Sequence, residues 1–121
     1  MNDKRSKGGE WESIAESFLN KRGLKTVERN FYSRFGEIDL IMRDQQTLVF
    51  TEVRYRDDNS RGSGADSVTF TKQKRITRTA QTYLQQTRHH PSMACRFDVV
   101  SIGREEGRML MNWIQNAFEA V

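Results

Sequence analysis

One cysteine, one proline and no long apolar run are found in 121 residues. A membrane-spanning helix needs about 18 consecutive apolar residues, and nothing here approaches that. The polar amino-terminal stretch also lacks the apolar region of a signal peptide, so no membrane association and a cytoplasmic location are expected. A lone Cys95 excludes an internal disulfide. Its place in an apolar strand pattern predicts a buried, inert thiol. Acid is missing from a whole segment. Between Ser67 and Phe97 there is no Asp or Glu, but there are Lys72, Lys74, Arg75, Arg78, Arg88 and Arg96, in a chain of net charge +4. A phosphate backbone is the commonest partner of such a basic block, and a solvated helix face or a protein contact are its other readings.

The length suits one domain, 1–121, with a single hydrophobic core, and residues 1–8 are polar, basic and expected to be flexible. From Gly9, Trp11, Ile14, Ala15, Phe18 and Leu19 fall at i, i+3, i+4, i+7 and i+8, an amphipathic helix that Gly23 ends. Glu10 falls in its expected first turn, where the helix dipole favours an anion. A strand over 25–32, marked by Val27 and Phe31, and a turn through Ser33-Arg34-Phe35-Gly36 lead into the centre of the chain. A polar loop over 56–67 is followed by a helix over 71–89, with Ile76, Ala80, Tyr83 and Leu84 as its apolar stripe and Pro91 as its stop. His89 and His90 point in different directions on a helix and have no Cys/His partner set, so they read as a fraying end and not a metal pair. The strand over 95–102 is apolar on both faces and should be buried. After a turn over 103–107, a short strand over 108–113 and a terminal helical turn carrying Ile114, Ala117 and Phe118 are expected.

The centre is a hairpin, Gly36-Glu37-Ile38-Asp39-Leu40-Ile41-Met42-Arg43, a polar break, then Leu48-Val49-Phe50-Thr51-Glu52-Val53-Arg54-Tyr55-Arg56. If Arg43 opposes Leu48, counting along the ladder sets Asp39 opposite Glu52. Alternation puts Leu48, Phe50, Glu52 and Arg54 on one face and Val49, Thr51, Val53 and Tyr55 on the other. Like charges directly opposed across a ladder repel at Cβ separations of about 5 Å. A hard divalent cation offsets such a pair, and so does a neighbouring arginine. Ordinary surface ion pairs are the bland alternative.

The order helix, three strands, helix, strand, with acids on the second and third strands, resembles the core of the PD-(D/E)XK nuclease superfamily. The blocks Gly9-Glu10, Gly36-Glu37-Ile38-Asp39-Leu40-Ile41, Phe50-Thr51-Glu52-Val53-Arg54-Tyr55-Arg56 and Arg96-Phe97-Asp98-Val99-Val100 resemble those of the bacterial YraN family, a group similar to archaeal Holliday-junction resolvases. This resemblance implies an α/β fold with a restriction-endonuclease-like αβββαβ core, its central mixed sheet flanked by helices. It also implies a Mg²⁺- or Mn²⁺-dependent endonuclease acting on DNA, more than on RNA, with branched DNA as a candidate substrate and a homodimer as the working form. Asp39, Glu52 and the carbonyl of Val53 would bind the metal, and Glu10 would match the helix glutamate of resolvase-like members. Arg54 stands where the superfamily has lysine. A guanidinium cannot give up its proton, so Arg54 is expected to act electrostatically, with Lys72 or Lys74 as the source of an amine. Lys72, Lys74, Arg75 and Arg78 are the expected nucleic-acid contacts. A catalytically inert nucleic-acid-binding or scaffold module that keeps the fold is the alternative function.

Overall fold

The computed structural model describes residues 3–56, 68–89 and 92–121, with side chains from Gly9 onward. Its elements are α1 (Asp3–Lys21), β1 (Lys25–Ser33), β2 (Gly36–Asp44), β3 (Thr47–Arg56), α2 (Phe70–Gln86), β4 (Cys95–Glu105) and β5 (Arg108–Phe118). The strands form one sheet in the order β1-β2-β3-β4-β5, antiparallel throughout except for the parallel β3–β4 pair that α2 connects. This is the expected α/β architecture, a mixed sheet flanked by helices. Among the described residues no helix is long and apolar enough to cross a membrane. The loop expected over 56–67 lies, beyond Arg56, outside the described residues, as do His90 and Pro91.

Strand alternation builds two cores, one on each face of the sheet. Leu48, Phe50, Phe97 and Val99 pack with Ile76, Ala80 and Tyr83 of α2. Val49, Val100 and Ile102 pack with Ala15 and Leu19 of α1. The strand β4 is apolar on both faces because it has a helix over each. α1 ends where expected: Gly23 takes φ +97, its N–H bonds to the Asn20 carbonyl, and the Leu24 N–H reaches back to Leu19. The helix begins at Asp3, however, six residues ahead of the expected Gly9, so Glu10 is not in a first turn. α2 is closed by Arg88 at φ +54, with Arg88 N–H to the Gln85 carbonyl and His89 N–H to the Leu84 carbonyl. The helix therefore stops at Gln86, ahead of the expected end, on an arginine in the conformation that glycine usually supplies.

Two β-bulges account for the misread edges. In β5 the register shifts between Phe97 and Val99, beside Asn116 at φ +51. Gln115, Asn116 and Ala117 stand against Asp98 alone, and this insertion goes with the i, i+3, i+4 spacing of Ile114, Ala117 and Phe118. The expected terminal helical turn is thus strand, and those three side chains pack onto the α2-side core. In β1 the register shift between Thr26 and Glu28 throws out Val27, which is exposed rather than a core marker. Cys95 is likewise exposed at the start of β4, where the sequence pattern predicts burial, and partial desolvation raises its thiol pKa.

Asp98 ties the β5 bulge to the sheet. Its fully buried carboxylate accepts from Arg96 Nε at 3.1 Å, Trp113 Nε1 at 2.9 Å and the Asn116 amide at 2.9 Å. Arg96 Nη1 bonds Asp44 at 3.0 Å beside the β2–β3 turn. A buried charge persists only when paired and hydrogen-bonded, and this one is both.

Candidate active site

Across the central hairpin the register is the expected one, Arg43 opposite Leu48, and it runs to Leu40 opposite Thr51. Pairing stops there, one step short of Asp39 and Glu52. Past that point Asp39 Oδ2 accepts the Val53 N–H at 2.8 Å. A side chain thus takes a backbone donor where the ladder ends. The gap between β2 and β3 widens into a cleft of about 520 Å³, whose walls include Glu37, Asp39, Glu52 and Val53 from the hairpin and Lys72 and Arg75 from α2.

A further element, α1, brings Glu12 to two of these acids. Glu12, Glu37 and Asp39 each offer a carboxylate oxygen, and these oxygens lie within 4.8 Å of one another. Glu12 is 9% exposed and accepts from Asn30 Nδ2 at 2.6 Å, which fixes its rotamer. Glu10 is exposed and lies outside the group. Two helix positions separate it from Glu12, or about 200° around the cylinder. Glu12 occupies the same stripe as Ala15 and Leu19, at i, i+3 and i+7. An acid on an otherwise apolar stripe was the available signal for it. Glu37 also went unassigned, although it shares the motif and, at i−2, the strand face of Asp39.

Crowded carboxylates in a partly desolvated cleft resist ionisation. Burial first, then the charge of Glu52, with smaller contributions from Glu12 and Glu37, pushes the Asp39 pKa from 3.8 up to about 9, against the pull of the Val53 hydrogen bond. Burial also raises the Glu52 pKa, opposed chiefly by Lys72. Glu52 is 4% exposed, and Lys72 Nζ stands 3.2 Å from its Oε2. Thr69 sets this up by accepting the Lys72 N–H and capping α2, so the helix enters the cleft with Lys72 in its first turn. Arg54 lies on the same strand face as Glu52 and helps to lower its pKa. The expected basic quartet therefore divides. Lys72 pairs with the acid, Lys74 stands 5.3 Å from the Phe70 ring centroid, Arg75 lines the cleft, and Arg78 lies beyond it.

The donor set fits a hard divalent cation. Glu12, Glu37 and Asp39 supply oxygen only, at a separation one ion can bridge, and their mutual repulsion is what such an ion relieves. Of the expected ligands Asp39, Glu52 and Val53, Asp39 belongs to the close group. Glu52 and Val53 line the same cleft, Glu52 engaged with Lys72 and the Val53 N–H with Asp39.

The profile of "Uncharacterised protein family UPF0102" matches residues 11–102, a span that holds every acidic residue of the cleft. The chain is similar to UPF0102 proteins of Nitrosococcus oceani (46% identity, covering 94% of this chain and 92% of the relative) and Nitrosospira multiformis (48%, covering 95% and 94%). It is also similar to that of Aeromonas hydrophila (49%, covering 93% and 85%).

Proposed function

The chain belongs to the UPF0102 family, the YraN group that its motifs resemble, and on that basis we propose that it is a cytoplasmic, divalent-metal-dependent endonuclease hydrolysing phosphodiester bonds in DNA. The observation that carries this reading is the convergence of Glu12, Glu37 and Asp39 beside a buried Glu52 that pairs with Lys72. Three elements bring acids close together at a cost in electrostatic repulsion. A purely structural cleft has no use for that arrangement.

A bound Mg²⁺ or Mn²⁺ supplies Lewis-acid polarisation of a phosphoryl oxygen and a more acidic water. Glu12, Glu37 and Asp39 would hold that ion, and the Val53 amide keeps the Asp39 carboxylate oriented. Lys72 opposes the effect of burial on Glu52 and places an ammonium in the cleft, where negative charge grows on a phosphoryl group under attack. The amine that the sequence lacks at position 54 thus arrives from α2. Arg54 adds positive potential on the same face and moves no proton. Arg75 on the cleft wall neutralises substrate phosphate.

Cleavage of a labelled panel of single strand, duplex, flap and four-way junction, with Mg²⁺ or Mn²⁺, tests the proposal. Wild type is expected to cut at least one member only with metal, and Glu52→Gln to lose about 10²-fold or more. Binding to the panel without cleavage in either metal would instead identify an inert nucleic-acid-binding module on the same fold.

A further inference from the structure

A second hollow, of about 640 Å³, lies farther along α2 from the acidic cleft. Its walls are the β1–β2 turn, Arg34 and Phe35, and one face of α2 carrying Arg78, Gln81 and Gln85 at i, i+3 and i+7. The two guanidinium groups flank a single aromatic ring, Arg34 at 4.9 Å and Arg78 at 5.8 Å from the Phe35 centroid. Both arginines are exposed, and among the described residues neither has a carboxylate partner. The turn is anchored to the helix. Ser33 Oγ meets Thr79 Oγ1 at 3.1 Å and accepts the Phe35 N–H at 3.0 Å. Gly36 takes φ +148, a backbone angle that a side chain would strain, where the strand begins beside Arg75 and Thr79 of α2. The hollow is therefore held open by fixed backbone.

We infer that this hollow is a subsite for one unpaired nucleotide two to three steps from the scissile phosphate, its base stacked against Phe35 and its phosphate held by Arg34 and Arg78; the inference rests on the nuclease reading above. The chemistry is specific to a nucleotide in its combination. An aromatic ring and guanidinium planes stack on any base face. Two cations without a carboxylate partner among the described residues call for an anion. The Gln81 and Gln85 amides offer both donors and acceptors, which suits the polar edge of a base. A volume of this size is in the range of pockets that enclose a small ligand. The two sites are joined along α2: Lys72 lies at the acidic cleft, Arg75 on its wall and Arg78 at the hollow. Six helical residues span about 9 Å, or roughly two to three steps of a duplex strand at about 3.4 Å each. In a continuous duplex a base at that distance is stacked and paired, and cannot enter. A tail, flap or junction frees it. The subsite thus selects for DNA with an unpaired nucleotide close to the point of cleavage.

The test is equilibrium binding in EDTA, which does not depend on cleavage. Fluorescein-labelled blunt duplex, the same duplex with a short single-stranded tail, and the same with an abasic tail are compared by anisotropy. Wild type should bind the natural tail roughly tenfold or more tighter than the abasic tail. Phe35→Ala should abolish that preference while leaving blunt-duplex affinity in place, and Phe35→Trp should retain it. Arg78→Gln should weaken all three ligands and reduce the salt slope by about one. Equal affinity of wild type for natural and abasic tails, or an undiminished preference in a folded Phe35→Ala, would overturn the subsite. Because no metal is present, a protein that never cleaves can still pass this test, and a nuclease can fail it.

Discussion

Replacing Asp39 by asparagine should make the metal-free protein more stable, contrary to the usual effect of altering a buried polar residue. With a pKa of about 9 in the fold against 3.8 ordinarily, Asp39 holds a proton in the native state that the unfolded chain releases above pH 4. Stability then falls as pH rises from about 4 to about 9, by up to about 1.4 kcal/mol per pH unit, and levels off above. Asparagine keeps an oxygen to accept the Val53 N–H, and its amide can donate to the surrounding carboxylates. It carries no titration. Between pH 5 and pH 7 the variant's advantage should therefore grow by at most about 3 kcal/mol, or roughly 10 °C in Tm for a domain of this size. Thermal unfolding in EDTA at several pH values, followed by circular dichroism, gives the comparison directly. Saturating Mg²⁺ should narrow or reverse the gap, since an ion at 100 times its Kd stabilises wild type by about 2.7 kcal/mol. A variant less stable than wild type at pH 7 in EDTA, or an advantage that does not change with pH, would refute the crowding argument.

Two further outcomes follow from the packing. Lys72→Ala removes the principal partner of a nearly buried Glu52; it should raise the Glu52 pKa further and cost about 1–3 kcal/mol in urea unfolding at high pH, a loss that shrinks as pH falls toward the ordinary carboxylate range. Asp98→Ala leaves Arg96 and the Trp113 and Asn116 donors without their shared acceptor, and should cost about 3–5 kcal/mol; a change below about 1 kcal/mol by the same measurement would show that the bulge does not depend on it.

Much of this arrangement was legible in the residues. The polar break fixed the hairpin register, and alternation along β3 correctly separated Phe50 and Glu52 from Val49 and Val53. Insertions in the strands run against the periodicity. The irregularity beside Asn116 gives a strand the spacing of a helix, and the β1 bulge exposes Val27, because periodicity cannot register added residues. At the site, Glu10 drew notice by its place in a motif block, whereas Glu12 sat inside the apolar stripe and passed as part of it. Glu52 and Asp39 were legible because opposed carboxylates stand out along a ladder. Lys72 was legible as charge, but its pairing with Glu52 depends on where α2 enters, which no local pattern encodes. The hollow at Phe35 joins a turn to a helix more than 40 residues away, and only the folded chain brings them together.

That the acidic cleft takes a divalent cation underlies the functional reading, and titration calorimetry tests it most directly. Mn²⁺ or Mg²⁺ titrated into wild type at pH 7, in two buffers of different ionisation enthalpy, should show one saturable site. It should also show release of close to one proton, because Asp39 must ionise to act as a ligand. Asp39→Asn should lose both the site and the proton. No binding at millimolar ion, or binding that is unchanged in Asp39→Asn, would contradict the account.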